Sequence, residues 1–472
     1  QLVLAVKAAD YGWLILIFVI RFAAIVVAGN LLQTDPDSYL KLASAWVESG
    51  TYGLIDDAGI PHATAYRPPL YPALLAATIW CSGSTSLWGI AAVHAALATL
   101  SASLLLSIGR ALHVRHALAA VLLFSVDPLL IRQSQLIMTE TMATTVGLFS
   151  WWLMVCEEKS RDNASSTSRP NLFKWTLHLL TGLSFGIATL TRPTAIVWFA
   201  LIVVYYLLRQ SPSRAGMIRQ AAWFCLGFTI ALTPWVARNR EQFDKPIWAT
   251  THGGYTLLLA NNPILYDHFE QGSVSRNWDE DLFHRLWARR KDHDPHAADF
   301  WNVDNDNPTS TLADLDLTQR SPETLQIHFG QQHREVAEDE LAQSIALKTI
   351  RQRPWVMGWS MVVRIGWLWT PLPNPRPDSW IKWPITLWYV VLYGLALWGT
   401  WQLGRKNFSA RWWCGWLLLI SLTLVHSVYW SNMRMRAPAL PLLYLLAAYG
   451  AESWLTNVLW PNPKAPSDSG KN

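Results

Sequence analysis

The stretch YGWLILIFVIRFAAIVVAGNLLQTDPDSY, Tyr11–Tyr39, decides the fold class of this 472-residue chain. Within Tyr11–Leu32 the only charged residue is Arg21, and about 20 helical residues are enough to cross the hydrocarbon core of a bilayer. This run is too long for the apolar part of a signal peptide, and no small-residue cleavage site follows it. We therefore expect a retained membrane anchor, followed by two acids, Asp35 and Asp37, where the chain leaves the bilayer.

The composition is that of a membrane protein. Hydrophobic residues make up 51% of the chain and charged residues 15%, whereas a soluble domain carries about 25% charged residues. The 29 tryptophans fit this class, because tryptophan concentrates at membrane–water interfaces. A net charge of +5 without a basic polar domain argues against a nucleic-acid surface. The four cysteines lack metal-ligand spacing, so we expect no disulfide framework.

Ten apolar runs predict an all-α polytopic membrane protein with about ten transmembrane helices. The predicted spans are Gly12–Leu32, Leu87–Leu112, His116–Ile131, Thr139–Cys156, Trp175–Leu190, Thr194–Leu208, Met217–Val236, Trp383–Leu403, Trp412–Tyr429 and Pro438–Leu459. The short helix predicted for Pro68–Trp80 is too short to cross and is expected to insert partway.

The short connections between these spans fall into two sets that differ in positive charge. One set carries twelve basic residues, namely Arg110, Arg115, Lys159, Arg161, Arg169, Lys174, Arg209, Arg214, Arg219, Arg405, Lys406 and Arg411. The opposite set carries four, namely Arg132, Arg192, Arg434 and Arg436. Because basic connections stay in the cytoplasm, the first set and both chain ends are predicted to be cytoplasmic.

This orientation predicts four regions. They are an N-terminal transmembrane module (1–238) with a first outer loop (33–86), a small outer-side loop domain (239–381), C-terminal transmembrane helices (382–460) and a cytoplasmic tail (461–472). In the outer segment, the run Pro354–Pro371 (interfacial helix 354–371) is rich in tryptophan but holds Arg364 near its centre, which favours a helix lying in the membrane interface. The alternative is a spanning helix, which would move every later loop to the other side.

Asp35 and Asp37 allow two interpretations. Asp-Pro before a helix is an ordinary start signal in which the acid caps the helix. An ionised aspartate at this depth can also accept a proton from an attacking hydroxyl or hold a divalent metal. Apolar residues in Tyr39–Val47 recur at helical spacing. They predict an amphipathic helix on the membrane surface, ended by Gly50 and Gly53.

Arg67 and Glu140 also lie at the predicted outer edge. Arg67, in YRPPLYP (66–72), either extends to the interface as a surface arginine or serves as a cation for a phosphate or for Asp35. Glu140 begins the fourth span, where an acid is favourable at a helix N-terminus without any further role. A functional role for Glu140 is the alternative.

Three more arginines lie on the otherwise arginine-poor side. Arg192 follows a threonine and precedes a proline between two apolar runs, so it must face a polar group. Arg434 and Arg436 either anchor the chain to lipid head groups or bind a lipid phosphate through charge-assisted hydrogen bonds. The glycine and asparagine residues of TPWVARNREQF (233–243) and THGGYTLLLANNP (251–263) predict a shaped loop that opens the outer segment.

The order of these motifs resembles one family. An acid pair follows the first span, then come RPPLYP, an acid at the fourth span, TRP, PWxxRN, GGY…NNP and a late RxRxPxxP. This order is similar to that of the C-type-fold membrane glycosyltransferases, specifically the protein-mannosyltransferase and aminoarabinose-transferase-like group. The resemblance covers roughly Tyr11–Gly450, except for 267–332, which matches no part of the family pattern.

The resemblance implies roles for single residues. The family's D-x-x-x-Y matches Asp35 and Tyr39, which makes Asp35 the expected catalytic base. Pro36 stands where the family often has Glu, so Asp37 is a second candidate for that role. Glu140 matches an acid of the second outer loop that lies near the donor or binds a metal.

The same resemblance implies ligands for the donor phosphate. Arg434 and Arg436 match basic residues that meet a lipid phosphate, and Arg67 and Arg192 are further candidates for stabilising it. The remaining candidate site residues are Tyr39, Tyr66, Arg238 and Asn261.

The implied activity is transfer of a sugar from a polyprenyl-phosphate donor to a lipid, glycan or protein acceptor, by an inverting single displacement. Metal dependence varies across the superfamily, so a divalent metal stays open and no other cofactor is expected. The expected location is a bacterial inner membrane, among membrane lipids, with the site on the outer side and no nucleic-acid partner.

The other hypotheses are a transporter or flippase of lipid-linked sugars and a non-catalytic envelope-assembly protein. The acids and arginines at the outer edge favour the enzyme, because transporters place such residues near the midplane.

Overall fold

The computed structural model describes residues 4–28, 31–32, 34–56, 58–162, 171–209, 214–291, 300–301, 332–373 and 379–454. The predicted cytoplasmic tail, 461–472, lies outside these residues. The N-terminal helices are α1 Tyr11–Val27, α2 Tyr39–Ser49, α3 Leu70–Ser82, α4 Leu87–Ala111, α5 Ala117–Ser125, α6 Pro128–Ser134, α7 Glu140–Asp162, α8 Asn171–Thr191, α9 Ala195–Leu208 and α10 Arg214–Phe243. The later helices are α11 Gly253–Ala260, α12 Pro263–Glu270, α13 Glu280–Lys291, α14 Gln332–Gln352, α15 Pro354–Trp369, α16 Ser379–Leu403, α17 Ala410–Val428 and α18 Leu440–Trp454.

Short elements complete the described chain. They are the 3-10 helices Ala8–Asp10, Gly404–Phe408 and Met433–Ala439 and the strands β1 Gly53–Ile55 and β2 Pro61–Ala63. The two strands pair antiparallel, with Leu54 opposite His62. This small hairpin in the first outer loop is the one departure, within the described residues, from the all-α prediction.

Four helices in the described part of the chain are long and apolar enough to cross a bilayer. They are Ala8–Val27, Leu87–Ala111, Arg214–Phe243 and Trp380–Asn407. The pair α5 and α6 would make a fifth span, but the two helices meet at a 53° bend. The number of ten spans stays a prediction.

The bend between α5 and α6 has a local cause. Pro128 is the first residue of α6, and the residue before a proline avoids helical backbone angles. That residue, Asp127, caps α6 by accepting a hydrogen bond from the backbone N–H of Leu130 at 2.9 Å. Asp127 also accepts hydrogen bonds from Tyr389 at 2.9 Å and Tyr444 at 2.6 Å. The predicted span His116–Ile131 is therefore two helices, and the break ties them to α16 and α18.

Helices α8 and α10 pack with their backbones in direct contact. A Cβ atom on Gly182 would lie 1.9 Å from the carbonyl oxygen of Phe224, and one on Gly227 would lie 2.1 Å from that of Leu179. Backbone atoms cannot move aside as a flexible side chain can, so the two glycines allow the close crossing. This contact holds the hairpin that carries Arg192 in place.

Gly182→Ala is expected to destabilise the protein, because α8 and α10 must separate to admit the methyl group. Overpacking of this kind costs about 1–3 kcal/mol or more. Thermal unfolding of the purified chain in nanodiscs measures the effect. Gly394→Ala is the matched control, because it lies inside α16 with nothing within 4 Å of the added Cβ. Equal midpoints for the two variants would contradict the assigned contact.

The first part of the outer segment is helical, so the prediction of a shaped loop was wrong. TPWVARNREQF (233–243) continues α10 through Pro234 to Phe243, past the predicted region boundary at 238. GGYTLLLA (253–260) forms α11, and its glycine serves packing: a Cβ on Gly254 would lie 2.0 Å from the carbonyl oxygen of Asp339 in α14. Trp278, Phe283, Trp287 and Trp301 share one buried cluster with side chains of α11 and α14.

Arg364 lies in α15 with its side chain fully buried. Its guanidinium donates to the carbonyl oxygens of Ser427 (2.7 Å) and Ala260 and to Ser360 Oγ at 2.8 Å. These bonds let an arginine sit inside a tryptophan-rich helix, because its donors are satisfied within the protein. The opposite face exposes apolar side chains, with Trp355 90% exposed. Whether this 16-residue helix lies along the membrane or crosses it stays a prediction.

Candidate functional site

Asp35 caps α2 with one carboxylate oxygen and leaves the other unused. Ser38 has a positive φ of 60°, and this turn lets Asp35 Oδ2 accept the backbone N–H groups of Leu40 at 2.9 Å and Lys41 at 3.0 Å. Asp35 Oδ1 is buried and has no hydrogen-bond partner among the described residues. Burial raises the pKa of Asp35 above its ordinary value, against the lowering effect of the backbone N–H groups. The capping role and a chemical role are therefore compatible.

Asp37 has a different environment from Asp35. Its Oδ1 lies 2.7 Å from Arg67 Nη2, and its carbonyl oxygen accepts Arg67 Nε at 3.2 Å. Arg67 also donates to Tyr66 Oη at 3.0 Å and lies 5.5 Å from the ring centre of Tyr39. Arg67 is thus paired with Asp37 and not with Asp35. These contacts join two parts of the first outer loop to each other. They do not involve a phosphate, so the role of Arg67 as a phosphate ligand stays a prediction.

Tyr71 connects the first outer loop to the start of α7. Its ring packs edge-on against Tyr39 with centroids 5.2 Å apart, and its hydroxyl is 2.9 Å from His94 Nε2. Tyr39 and Tyr71 share one buried cluster with Met138 and Met142, which lie on either side of Glu140 in the sequence. This cluster packs the first outer loop against the start of α7.

Glu140, Arg192 and Arg434 converge from three separate elements. Glu140 is the first residue of α7 and 1% exposed, Arg192 lies between α8 and α9, and Arg434 lies in the 3-10 helix Met433–Ala439. Glu140 Oε1 is 3.6 Å from Arg192 Nη1 and 3.6 Å from Arg434 Nε. These ion-pair distances exceed the range of a hydrogen bond. Glu140 Oε2 and both arginine nitrogens lack hydrogen-bond partners among the described residues.

This arrangement suits an anion better than a cation. One carboxylate between two guanidinium groups leaves an excess of one positive charge, with N–H groups still available for charge-assisted hydrogen bonds. A divalent metal would meet repulsion from both arginines. Among the described residues, no group of three or more His, Cys, Asp or Glu side chains could hold a metal ion.

Arg436 lies two residues from Arg434 but has other contacts. It is fully buried, and its Nη1 donates to the carbonyl oxygens of Leu368 at 3.1 Å and Thr370 at 2.5 Å. Its guanidinium also lies 4.3 Å from the ring centre of Tyr389. These contacts join the end of α15 to α16, and no ion pair joins Arg436 to Glu140 within the part of the chain that the structure describes.

Arg238 and Asn261 make structural contacts through backbone carbonyls. Arg238 donates to the carbonyl oxygens of Thr64 at 2.9 Å and Tyr52 at 2.6 Å, which fastens the first outer loop to α10. Asn261 Nδ2 donates to the carbonyl oxygen of Val428 at 2.9 Å, which joins the end of α11 to α17. The structure does not bring these two side chains into contact with Glu140.

Glu335 is a residue that the sequence interpretation missed. It accepts hydrogen bonds from Thr64 Oγ1 at 2.8 Å, the backbone N–H of Ala65 at 3.1 Å and Thr251 Oγ1. Burial raises the pKa of Glu335, and the hydrogen bonds oppose this effect. It fastens α14 to the first outer loop, but its sequence context, one acid among many, gives no signal of this.

His426 was missed as well. It lies near the end of α17 and is 3% exposed. Its Nδ1 is 2.9 Å from the carbonyl oxygen of Trp430, while Nε2 is buried and without a partner among the described residues. The available signal was a histidine at the end of a long apolar run, eight residues before Arg434.

Comparison with solved structures gives distant matches. Archaeal oligosaccharyltransferase AglB from Archaeoglobus fulgidus, in complex with an inhibitory peptide and a dolichol-phosphate, is 12% identical with a TM-score of 0.49, over 96% of this chain and 51% of that chain. ArnT from Cupriavidus metallidurans is 16% identical with a TM-score of 0.36 in the apo state, over 94% of this chain and 78% of that chain. ArnT bound to undecaprenyl phosphate is 15% identical with a TM-score of 0.37, over the same shares of the two chains. This chain thus spans about half the length of the oligosaccharyltransferase, and no residue role is transferred from these structures.

Sequence comparison gives one family match, which covers part of the chain. No curated protein matches the chain. Residues 13–237 match the family model for dolichyl-phosphate-mannose-protein mannosyltransferases. The matched part contains the candidate site residues Asp35, Glu140 and Arg192 but not Arg434. Residues 13–237 of this integral membrane chain, slightly less than half of its length, are thus similar to the dolichyl-phosphate-mannose-protein mannosyltransferases.

Proposed function

We propose that the protein transfers a sugar from a polyprenyl-phosphate donor to an acceptor on the outer side of a bacterial inner membrane, with Asp35 as the base. One observation carries this proposal: Asp35 Oδ1 is buried and free of partners among the described residues, while Oδ2 is held by the N-terminus of α2. A base for an attacking hydroxyl needs a lone pair in a fixed position. Oδ1 meets that requirement.

Arg192 and Arg434 are the proposed ligands of the donor phosphate. Each has an N–H group without a hydrogen-bond partner among the described residues, and together with Glu140 they carry an excess of one positive charge. The phosphate is the part of the donor that gains negative charge as the sugar leaves. Glu140 lies 3.6 Å from each of them and reduces the charge of the pair. A site without this acid would hold the released lipid phosphate more tightly and slow its departure.

The proposed reaction is a single displacement. The acceptor oxygen or nitrogen forms a bond to the anomeric carbon, and the bond between that carbon and the phosphate oxygen breaks. The acceptor's proton goes to Asp35 Oδ1, and the electron pair of the broken bond leaves with the polyprenyl phosphate. Attack from the face opposite the phosphate inverts the anomeric configuration.

The proposed donor class is supported by the match of residues 13–237 to a family whose description names a dolichyl-phosphate sugar. The acceptor is proposed only as a lipid, glycan or protein that presents a hydroxyl or amine on the outer side. The experiment is incubation of the purified chain in nanodiscs with a panel of polyprenyl-phosphate sugars and candidate acceptors. Release of free lipid phosphate together with transferred sugar is expected. Translocation of an intact lipid-linked sugar across vesicles, without such release, would instead support the transporter hypothesis.

When the solution is made more acidic, activity is expected to be lost at a higher pH than it would be with an aspartate of ordinary pKa. The base must be ionised, and burial raises the pKa of Asp35 above the unfolded value of about 3.9. As pH decreases through this raised pKa, the carboxylate takes up a proton and kcat/KM decreases. A pH profile of kcat/KM for sugar transfer measures the position of this acid limb. An acid limb at or below the ordinary aspartate value would contradict the assignment.

A further inference from the structure

Four buried polar atoms, on Glu140, on its two ion-pair partners and on a helix packed against α7, lack hydrogen-bond partners among the described residues. They are Glu140 Oε2, Arg192 Nη1, Arg434 Nε and His426 Nε2. Buried polar atoms in folded proteins are nearly always paired with protein, ordered water or ligand. A concentration of unpaired atoms in one neighbourhood is typical of a place where a polar ligand binds.

His426 supplies a hydrogen-bond acceptor to this neighbourhood. The carbonyl oxygen of Trp430, 2.9 Å from His426 Nδ1, can only accept a hydrogen bond, so Nδ1 carries the hydrogen in the neutral ring. Nε2 then keeps its lone pair. Helix α17, which carries His426 near its end, packs against both the 3-10 helix that carries Arg434 and α7, whose first residue is Glu140. The positive charges of Arg192 and Arg434 also act on the ring.

A phosphate alone does not match all four atoms. The phosphodiester of a polyprenyl-phosphate sugar has acceptor oxygens, which suit Arg192 and Arg434, but it has no O–H group. His426 Nε2 and Glu140 Oε2 require a donor from the ligand. The hydroxyl on the carbon next to the anomeric carbon is the sugar O–H group bonded closest to the phosphate.

We propose that His426 Nε2 accepts a hydrogen bond from the 2-hydroxyl of the donor sugar, and that the protein therefore selects sugars with a free hydroxyl at this carbon. This inference rests on the proposed function. A 2-deoxy sugar leaves the buried acceptor unpaired, which lowers its kcat/KM. Hydrogen bonds to this hydroxyl also strengthen as the sugar approaches the transition state, so part of the selection falls on kcat.

Two substitutions distinguish the proposed role of Nε2 as a hydrogen-bond acceptor from the structural contact of Nδ1 with Trp430. In His426→Asn, the side-chain amide reaches the Nδ1 position and can still donate to Trp430, but no acceptor remains at the Nε2 position. In His426→Gln, the amide reaches the Nε2 position and restores an acceptor, while the bond to Trp430 is lost. A merely structural histidine would be replaced better by Asn, and an acceptor for the sugar would be replaced better by Gln.

The test uses the purified full chain in nanodiscs with undecaprenyl-phosphate mannose, glucose and 2-deoxyglucose, and an active pentose donor with its 2-deoxy counterpart. Release of undecaprenyl phosphate gives kcat and KM for each. The wild-type protein is expected to prefer a 2-hydroxy donor by about 10- to 100-fold. His426→Asn is expected to lose most of this preference. His426→Gln is expected to keep most of it, at a lower thermal midpoint because the hydrogen bond to Trp430 is lost.

The outcomes are distinguishable. Transfer of 2-hydroxy and 2-deoxy sugars at equal kcat/KM by the wild-type protein overturns the inference and leaves only ordered water at His426, while the proposed function stands. A full preference retained by His426→Asn also overturns it. If that variant does not fold, loss of the preference in a folded His426→Gln overturns the inference instead. Absence of lipid-phosphate release from every sugar overturns the proposed function and the inference together.

Discussion

Asp35→Asn is expected to lower kcat for sugar transfer by about 100- to 10,000-fold, with little change in KM for the donor. An asparagine at this position cannot take the proton of the attacking group. Its carbonyl oxygen can still accept the backbone N–H groups of Leu40 and Lys41, which Asp35 Oδ2 accepts at 2.9 and 3.0 Å. The cap of α2 is therefore retained, and the loss concerns chemistry and not folding.

Asp56→Asn is the matched control for this substitution. Asp56 lies in the same outer loop and pairs with His62 at 2.8 Å, with a side chain that is 33% exposed. Its replacement removes one carboxylate from the loop without touching Asp35, so its activity should stay within about twofold of wild type, as expected for a surface substitution. Release of lipid phosphate and the thermal midpoint are measured for both variants. Full activity of Asp35→Asn, or equal losses in the two variants, would remove Asp35 from the role of base.

The helices were the most predictable part of the fold. Predicted spans Leu87–Leu112 and Thr194–Leu208 compare with α4 at Leu87–Ala111 and α9 at Ala195–Leu208. Apolar runs bounded by polar residues predict such helices, although α9, with 14 residues, is shorter than the about 20 that cross a bilayer. Short helices such as α11, with eight residues, carry no such signal. The glycines of α11 were interpreted as loop formers, although Gly254 allows close helix packing.

The two acids of the first outer loop show why the candidate site could be predicted only in part from the sequence. Their sequence positions, on either side of Pro36, are nearly equivalent. The structure separates them, because Asp37 pairs with Arg67 at 2.7 Å while Asp35 Oδ1 stays unpaired among the described residues. The pairing depends on a turn 30 residues later in the chain. No local pattern encodes such a contact.

The two arginines of the late motif also have roles that the sequence alone does not distinguish. Arg434 and Arg436 are equivalent in the RxRxPxxP motif, yet Arg434 lies 3.6 Å from Glu140 while Arg436 donates to carbonyls at the end of α15. The two side chains leave the 3-10 helix Met433–Ala439 in different directions. Only the position of that helix against α7 and α15 decides which arginine meets the acid.

Arg192→Gln and Arg434→Gln are each expected to lower kcat/KM by about 100- to 1,000-fold, the usual loss when one donor to a developing oxyanion is removed. Both N–H groups are available, since Arg192 Nη1 and Arg434 Nε have no hydrogen-bond partner among the described residues. If the two arginines bind the same phosphate, the double variant should lose less than the product of the single losses, because each interaction depends on the other. Neutral glutamine keeps a polar group beside Glu140, although the acid then loses one of its two counter-charges.

The control is Arg353→Gln, in the outer segment, where the arginine pairs with Asp267 and Glu270 and its side chain is 34% exposed. This variant should keep its activity, because an exposed ion pair contributes little. Binding of undecaprenyl phosphate, measured by competition, provides a second readout. It should weaken in Arg192→Gln and Arg434→Gln and stay unchanged in Arg353→Gln. Unchanged competition in the two site variants, with lower thermal midpoints, would mean that the arginines only neutralise Glu140, and the phosphate would then have to bind elsewhere on the outer face.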